Sequence, residues 1–288
     1  RWHSVTGVQT CALPISFNKD IITKLLRNKY KFEGVVCTDW GLISDSPMGQ
    51  GIVYPARAWG AESLSEEDRV KKVIDAGCDQ FGGENCVQHV ISLIKNGKIS
   101  EARIDQSLRR ILKQKFELGL FDNPYVNINN LQKNVGRPEW IALGEKTQRR
   151  ALTLLKNDQK TCPLAPGKYK IFVKGVKPEV AEKYGLVVDS PEEADFAIIR
   201  TITPWVPVDT KNPFAKSFHD GDLDFKGAEK EEILNICKKV PTIFNIYLDR
   251  PVVFPEINAA AKVVIADFGA NDAALMDVIF GKAKPEGK

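Results

Sequence analysis

Phe32-Glu33-Gly34-Val35-Val36-Cys37-Thr38-Asp39-Trp40-Gly41 is the stretch on which the fold turns. Gly34 opens a short apolar run, Val35-Val36-Cys37, that reads as a strand buried on both faces and is too short for a helix. The run stops at Thr38-Asp39-Trp40-Gly41. A carboxylate, an indole and a glycine at the C-terminal end of a buried strand stand where a β/α barrel keeps its catalytic groups, which makes Asp39 the candidate reactive group. The plainer reading of Asp39 is a turn or helix-capping residue.

Upstream, Ile21, Ile22, Leu25 and Leu26 fall at helical spacing and predict an amphipathic helix over residues 18–27. Downstream, residues 42–63 form a long polar insert rich in Gly, Pro and Ser, which on the C-terminal face of a barrel reads as a ligand-facing lid. Arg57 brings a forked donor to it and Trp59 a flat apolar face, unless Trp59 only pins the loop down. Ser65 followed by Glu66, Glu67 and Asp68 makes a capped helix start; Val70, Val73 and Ile74 line the apolar face, and Gly77 ends it. Residues 78–81 read as the next strand, with Gly82, Gly83 and Glu84 at its tip. The glycines permit close backbone approach to a ligand and Glu84 accepts hydroxyl hydrogen bonds; a plain βα turn is the alternative. Helices follow over residues 87–95 and 100–112, and Arg109 and Arg110 belong to a solvated face or a structural ion pair.

The 288 residues carry a net charge of +4 and 43% hydrophobic side chains, enough to bury a sizeable core. Lys and Arg are interleaved with Asp and Glu, without the basic stripe of a nucleic-acid binder. No apolar run approaches the length of a membrane span. The six cysteines show neither C-x-x-C pairs nor metal spacing; Cys37 and Cys78 read as small core residues, and no ligand cluster suggests a metal or cofactor. Residues 1–16 have no period, and 5–15 look like a translated sequencing-adapter read, so this segment is set aside with His3 and Cys11. The alternative is a genuine irregular N-terminal arm.

Residues 125–137 are polar and read as a connector, followed by a helix over 138–150 with Pro138 in its first turn. Beyond it, β-branched runs at 169–173, 196–200, 242–248 and 262–267 alternate with amphipathic helices, notably 229–239 and 271–280. That is the pattern of an open, mostly parallel sheet with helices on both faces. No phosphate-binding glycine motif follows any of these strands.

The Asp39 segment resembles the nucleophile motif of glycoside hydrolase family 3, whose members present an Asp-Trp pair in this setting. The resemblance continues through Pro55-Ala56-Arg57-Ala58-Trp59-Gly60 and Asp75-Ala76-Gly77-Cys78-Asp79-Gln80-Phe81-Gly82-Gly83-Glu84. It also takes in Arg103-Ile104-Asp105, Leu118-Gly119-Leu120-Phe121-Asp122 and Leu152-Thr153-Leu154-Leu155-Lys156-Asn157-Asp158. It implies an α/β chain built from the C-terminal part of a (β/α)8 barrel over residues 17–125, a linker and helix over 126–150, and an α/β/α sandwich with a mostly parallel open sheet over 151–288, the segment 1–16 being non-native. Residues 17–125 supply about two or three of the eight strand-helix units of such a barrel, so the resemblance implies truncation at both ends.

The function implied is that of a retaining, exo-acting β-glycosidase, β-glucosidase-like, with Asp39 as nucleophile and a β-linked oligosaccharide or glycoside as substrate. The family's acid/base is typically a Glu on the loop after the strand equivalent to residues 196–200. Here that loop, Thr201-Ile202-Thr203-Pro204-Trp205-Val206-Pro207, carries no carboxylate. Asp209, Asp220 and Asp222 are the nearest; Asp220, beside His219 in a Gly-broken loop, is the choice, with helix capping and turn formation as the alternative. Trp40, Arg57, Trp59, Glu84 and Trp205 are the expected sugar contacts, although Trp205 serves equally to cover the sheet. No cofactor or metal is implied, and a periplasmic or extracellular location is. Residues from earlier barrel strands that hold the sugar in the family have no counterpart, so the chain alone is expected to be nearly inactive. Two other classes stay open: a non-catalytic carbohydrate-binding protein that has lost its acid/base, and a ligand-sensing α/β domain read only from Tyr169 onward.

Overall fold

A computed structural model describes residues 15–47, Gly49, Gly51, 53–207 and 218–288. His3, Cys11, Asp209 and most of the segment 1–16 lie outside the described residues. Two compact units divide at Asn127, the second comprising Ile128–Pro207 and His219–Lys288.

The first unit is organised around a β-α-β crossover. Helix α1 (Asp20–Lys29) has π-type hydrogen bonding, and the Tyr30 N–H reaches the Leu25 carbonyl five residues back at 3.0 Å. Strand β1 (Cys37–Trp40) follows it; two short strands, β2 (Ser46–Pro47) and β3 (Val53–Tyr54), pair antiparallel in the insert. Helix α2 (Glu66–Ala76) then leads to β4 (Gln80–Gly82), which lies parallel to β1 with Cys37 opposite Gln80 and Trp40 opposite Gly82. Helices α3 (Val87–Lys95) and α4 (Glu101–Glu117) complete the unit.

Helix α2 forms where the sequence places it, for local reasons. Ser65 Oγ accepts the Asp68 N–H at 3.1 Å, three acidic residues face the positive end of the helix dipole, and Gly77 closes it at φ 107°. Replacing Ser65 with Ala is expected to cost about 1 kcal/mol, read as a lower urea midpoint. The buried face of α2, Val70, Val73, Ile74 and Ala76, packs with Phe17, Ile22, Leu42, Ile43, Ala58, Leu93 and Ile99 into one core.

Strand β1 begins at Cys37, later than the apolar run suggests, and it is not enclosed on both faces. Thr38 is its buried member, Cys37 is exposed rather than a core residue, and Val35 and Val36 are half-buried. The reason is the pairing: among the described residues β1 has one partner strand, so its other edge has no neighbouring strand.

The second unit holds a six-stranded mixed sheet and, apart from it, a two-stranded ribbon. The sheet strands are β5 (Thr153–Asn157), β6 (Lys170–Lys174), β7 (Leu186–Val188), β8 (Phe196–Ile202), β11 (Thr242–Tyr247) and β12 (Val263–Asp267). The ribbon pairs β9 (Val206–Pro207) with β10 (His219–Asp220). In space the sheet runs β5-β12-β11-β8-β6-β7, and neighbours are parallel except β5, which pairs antiparallel with β12. Side chains alternate between two cores: Ile198, Ile243, Val263 and Ile265 pack in one, Ile199, Phe244, Ile246 and Val264 in the other. Helix α8 (Asp272–Ile279) contributes to the first core; α6 (Gly227–Lys239) and α7 (Pro255–Ala260) contribute to the second. Both faces are thus covered, which explains why these strands read as continuous apolar runs. The preceding helix α5 (Pro138–Ala151) ties in through Arg149, which donates to Asp277 of α8 at 2.6 Å.

Candidate functional site

Asp39 occupies the penultimate position of β1 with its side chain 50% exposed. Its Oδ1 accepts the Trp40 N–H at 2.8 Å, and its Oδ2 lies 3.0 Å from Arg57 Nη1. The Arg57 side chain also donates to the Trp40 carbonyl, and its backbone N–H donates to the Gly41 carbonyl at 2.7 Å. The insert therefore folds back on the strand end, with Arg57 gripping the residues that carry the carboxylate. Asp45 adds a second tie by accepting the Ala56 N–H at 2.7 Å. Asp39, Arg57 and Trp59 line one pocket of about 190 Å³ with Val36, Cys37 and Leu42. Although Cys37 is exposed, partial desolvation of its sulfur, and then the nearby Glu84 charge, raise the thiol above its ordinary pKa.

Trp40 lies outside that set of lining residues. Its ring rests on Gly83, where an added Cβ would come within 1.9 Å of Trp40 Cδ1, and at Gly82 a Cβ would meet the Thr38 carbonyl at 2.4 Å. Gly83 has φ +81°, so glycine serves there both for backbone conformation and for the close approach of the indole. Glu84 turns inward: its Oε1 accepts the backbone N–H groups of Leu42 and Ile43, the latter at 2.9 Å. Its Oε2 is buried with no hydrogen-bond partner among the described residues.

In the second unit, Trp205 stacks on His219 with ring centroids 4.2 Å apart and planes 15° from parallel. His219 Nδ1 is hydrogen-bonded to Asp249, which follows the C-terminal end of β11. Asp220 is the next residue of β10; its Oδ1 accepts the Gly221 N–H at 2.8 Å, and its carbonyl accepts from the buried Arg250 at 2.6 Å. Arg250 also donates to the Gly221 carbonyl at 2.7 Å and so clamps this ribbon. Asp222 and Asp224 pair with Lys226, and the hydrogen bond from Lys226 draws the Asp222 pKa down. Asp249 and Arg250 escaped the sequence reading, although a carboxylate just past a parallel strand is the same signal that singled out Asp39. Among the described residues no group of three or more His, Cys, Asp or Glu side chains is arranged to hold a metal, and no helix is long and apolar enough to cross a membrane.

The fold is shared with solved β-glucosidases. The Listeria innocua β-glucosidase in complex with isofagomine aligns with a TM-score of 0.71 at 18% identity, over 93% of this chain and 42% of that one. The β-glucosidase EmGH1 of Erythrobacter marinus aligns at 0.72 with 17% identity, over 94% and 44%. In sequence, the chain is 46% identical to Beta-glucosidase C of Emericella nidulans over 285 residues, 98% of this chain and 46% of the relative. It is 35% identical to the periplasmic β-glucosidase/β-xylosidase of Dickeya chrysanthemi over 293 residues, 98% of this chain and 44% of the relative. Residues 2–114 match the glycosyl hydrolase family 3 N-terminal domain, a range that takes in most of the segment set aside above. The chain belongs to glycosyl hydrolase family 3. It spans a little under half the length of these curated relatives.

Proposed function

We propose that this chain carries the nucleophile of a retaining, exo-acting β-glycosidase of β-glucosidase type. The observation that carries the reading is Asp39: half exposed at the C-terminal end of a parallel strand, oriented by Arg57, in a pocket shared with Trp59. The β-glucosidase relatives support the substrate class. An Asp39 oxygen attacks the anomeric carbon as the glycosidic bond breaks, and the leaving oxygen takes a proton from a second carboxyl group, a role proposed for Asp220. Water, deprotonated by that second group, then cleaves the glycosyl ester with net retention. Trp40, Trp59 and Trp205 offer flat apolar faces to sugar rings, and Arg57 offers donors to hydroxyls.

In this reading β1 and β4 belong to the C-terminal part of a (β/α)8 barrel over residues 17–125, and residues 151–288 form the sandwich after a linker and helix. A closed barrel needs eight strands, and the described sheet bearing Asp39 has two, so turnover by this chain alone is expected to be very low. The name of the Dickeya chrysanthemi relative supports a periplasmic or extracellular location.

A carbohydrate-binding protein without an acid/base is the second reading, favoured by the absence of any carboxylate in residues 201–207. Leaving-group dependence separates the two. With concentrated protein, Asp220→Asn is expected to slow release of a poor leaving group such as methanol by roughly a hundredfold or more, while leaving the first-turnover burst of dinitrophenolate almost unchanged and slowing only the hydrolysis that follows it. No release of either by the unsubstituted chain would favour the binding reading. Turnover matching a full-length family member would overturn the expectation of low activity.

A further inference from the structure

We infer that Glu84 is a positioning residue, not a substrate contact: it holds the turn that follows Asp39 through the Leu42 and Ile43 amides, while Arg57 holds Asp39 and the Trp40 carbonyl. Leu42 and Ile43, the residues that follow the Asp39-Trp40-Gly41 corner, are buried, and a buried backbone N–H without an acceptor is costly. Glu84 Oε1 accepts from both N–H groups, while Arg69 Nη1 donates to the Ile43 carbonyl at 2.7 Å. The corner's donors and one acceptor are therefore satisfied by two side chains from elsewhere in the fold. The rest of the Glu84 loop is stitched to the same strand. The Gly82 N–H donates to Thr38 Oγ1 at 2.8 Å, and Gly83 leaves room for the Trp40 ring. The other carboxylate oxygen has no accessible surface through which to meet a sugar hydroxyl. Loss of Glu84 would free the corner and, through it, the direction in which Asp39 points.

Only the catalytic consequence rests on the proposed role of Asp39; the structural part is tested without turnover. Backbone amide exchange is followed by NMR on the full chain for the wild type, Glu84→Ala and Glu84→Gln. In Glu84→Ala, the Leu42 and Ile43 amides are expected to exchange roughly ten- to a hundredfold faster, with the Trp40 indole resonance shifted and the Val73 and Leu93 amides unchanged. Glu84→Gln keeps a carbonyl acceptor and should restore much of the protection. Unchanged exchange at Leu42 and Ile43 in Glu84→Ala would overturn the inference, as would lost affinity for glucose with the corner amides intact. If Glu84→Ala does not fold, Glu84→Asp is the second variant, because it keeps the carboxylate but draws it back by one methylene from the two amides. The inference then expects faster exchange at Leu42 and Ile43 with the Val73 and Leu93 amides unchanged, and full protection of both in Glu84→Asp would overturn it.

Discussion

Incubated with a dinitrophenyl 2-deoxy-2-fluoro-β-glucoside, the chain is expected to gain a fluorosugar ester on Asp39, and an Asp39→Asn variant none. An Asp39 oxygen forms a bond to the anomeric carbon, and dinitrophenolate leaves with the bonding electron pair. So good a leaving group needs no proton, which makes the result independent of whether Asp220 is the acid. Fluorine beside the reacting carbon disfavours the oxocarbenium-like transition state of both steps, so the ester persists for peptide mapping by mass spectrometry. Arg57 fixes the carboxylate at 3.0 Å from Nη1, and the carboxamide that replaces it in the variant has the same shape but no nucleophilic oxygen. A label on any other residue, or equal labelling of the variant, would remove Asp39 from the mechanism.

The second large effect concerns Asp79, whose side chain has no exposed surface. It accepts from Arg110 at 2.7 Å, Ser107 at 2.8 Å and the Val36 N–H at 3.0 Å, and it pairs with Arg27. This one carboxylate joins α1, the start of β1 and α4. Substituting Asp79 with Ala leaves Arg27 buried without its partner carboxylate, and a loss of about 3–5 kcal/mol from the first unit is expected in urea unfolding. A change below about 1 kcal/mol would show that the cluster does not hold the unit together. Burial alone would raise the Asp79 pKa, but the hydrogen bonds from Val36, Arg110 and Ser107 and the Arg27 charge outweigh it and hold the value below the ordinary carboxylate range. Because the folded pKa lies below the unfolded value of roughly 4, the contribution to stability is complete above that value and is lost as the pH falls through the folded one. Asp79→Asn should therefore flatten the acid limb of the stability profile.

Arg110 shows how far residue type alone reaches. Its place within a helix is legible, but residue type leaves a solvated face and an ion pair equally open; the fold decides for the pair with Asp79, 31 positions away. Arg57 and Glu84 are read from sequence as sugar contacts because their chemistry suits hydroxyls. The folded chain turns one toward Asp39 and the other toward the amides of Leu42 and Ile43. Trp205 likewise meets His219, and His219 meets Asp249, only through the folded second unit.

What the sequence determined by itself is whatever depends on neighbours a few positions apart. The Ser65 cap and the Gly77 stop bound α2, the β-branched runs form four of the six strands in the sheet of the second unit, β5 and β7 being unread, and Asp39 comes where its strand ends. Tertiary structure alone decided which side chains hold that carboxylate and its corner, and that β1 has one partner strand among the described residues. The physical reason is range: helix caps and side-chain periodicity act over a few residues of backbone, whereas the partners of Asp39, Asp79 and Glu84 are set by where the crossover and the insert bring distant segments together.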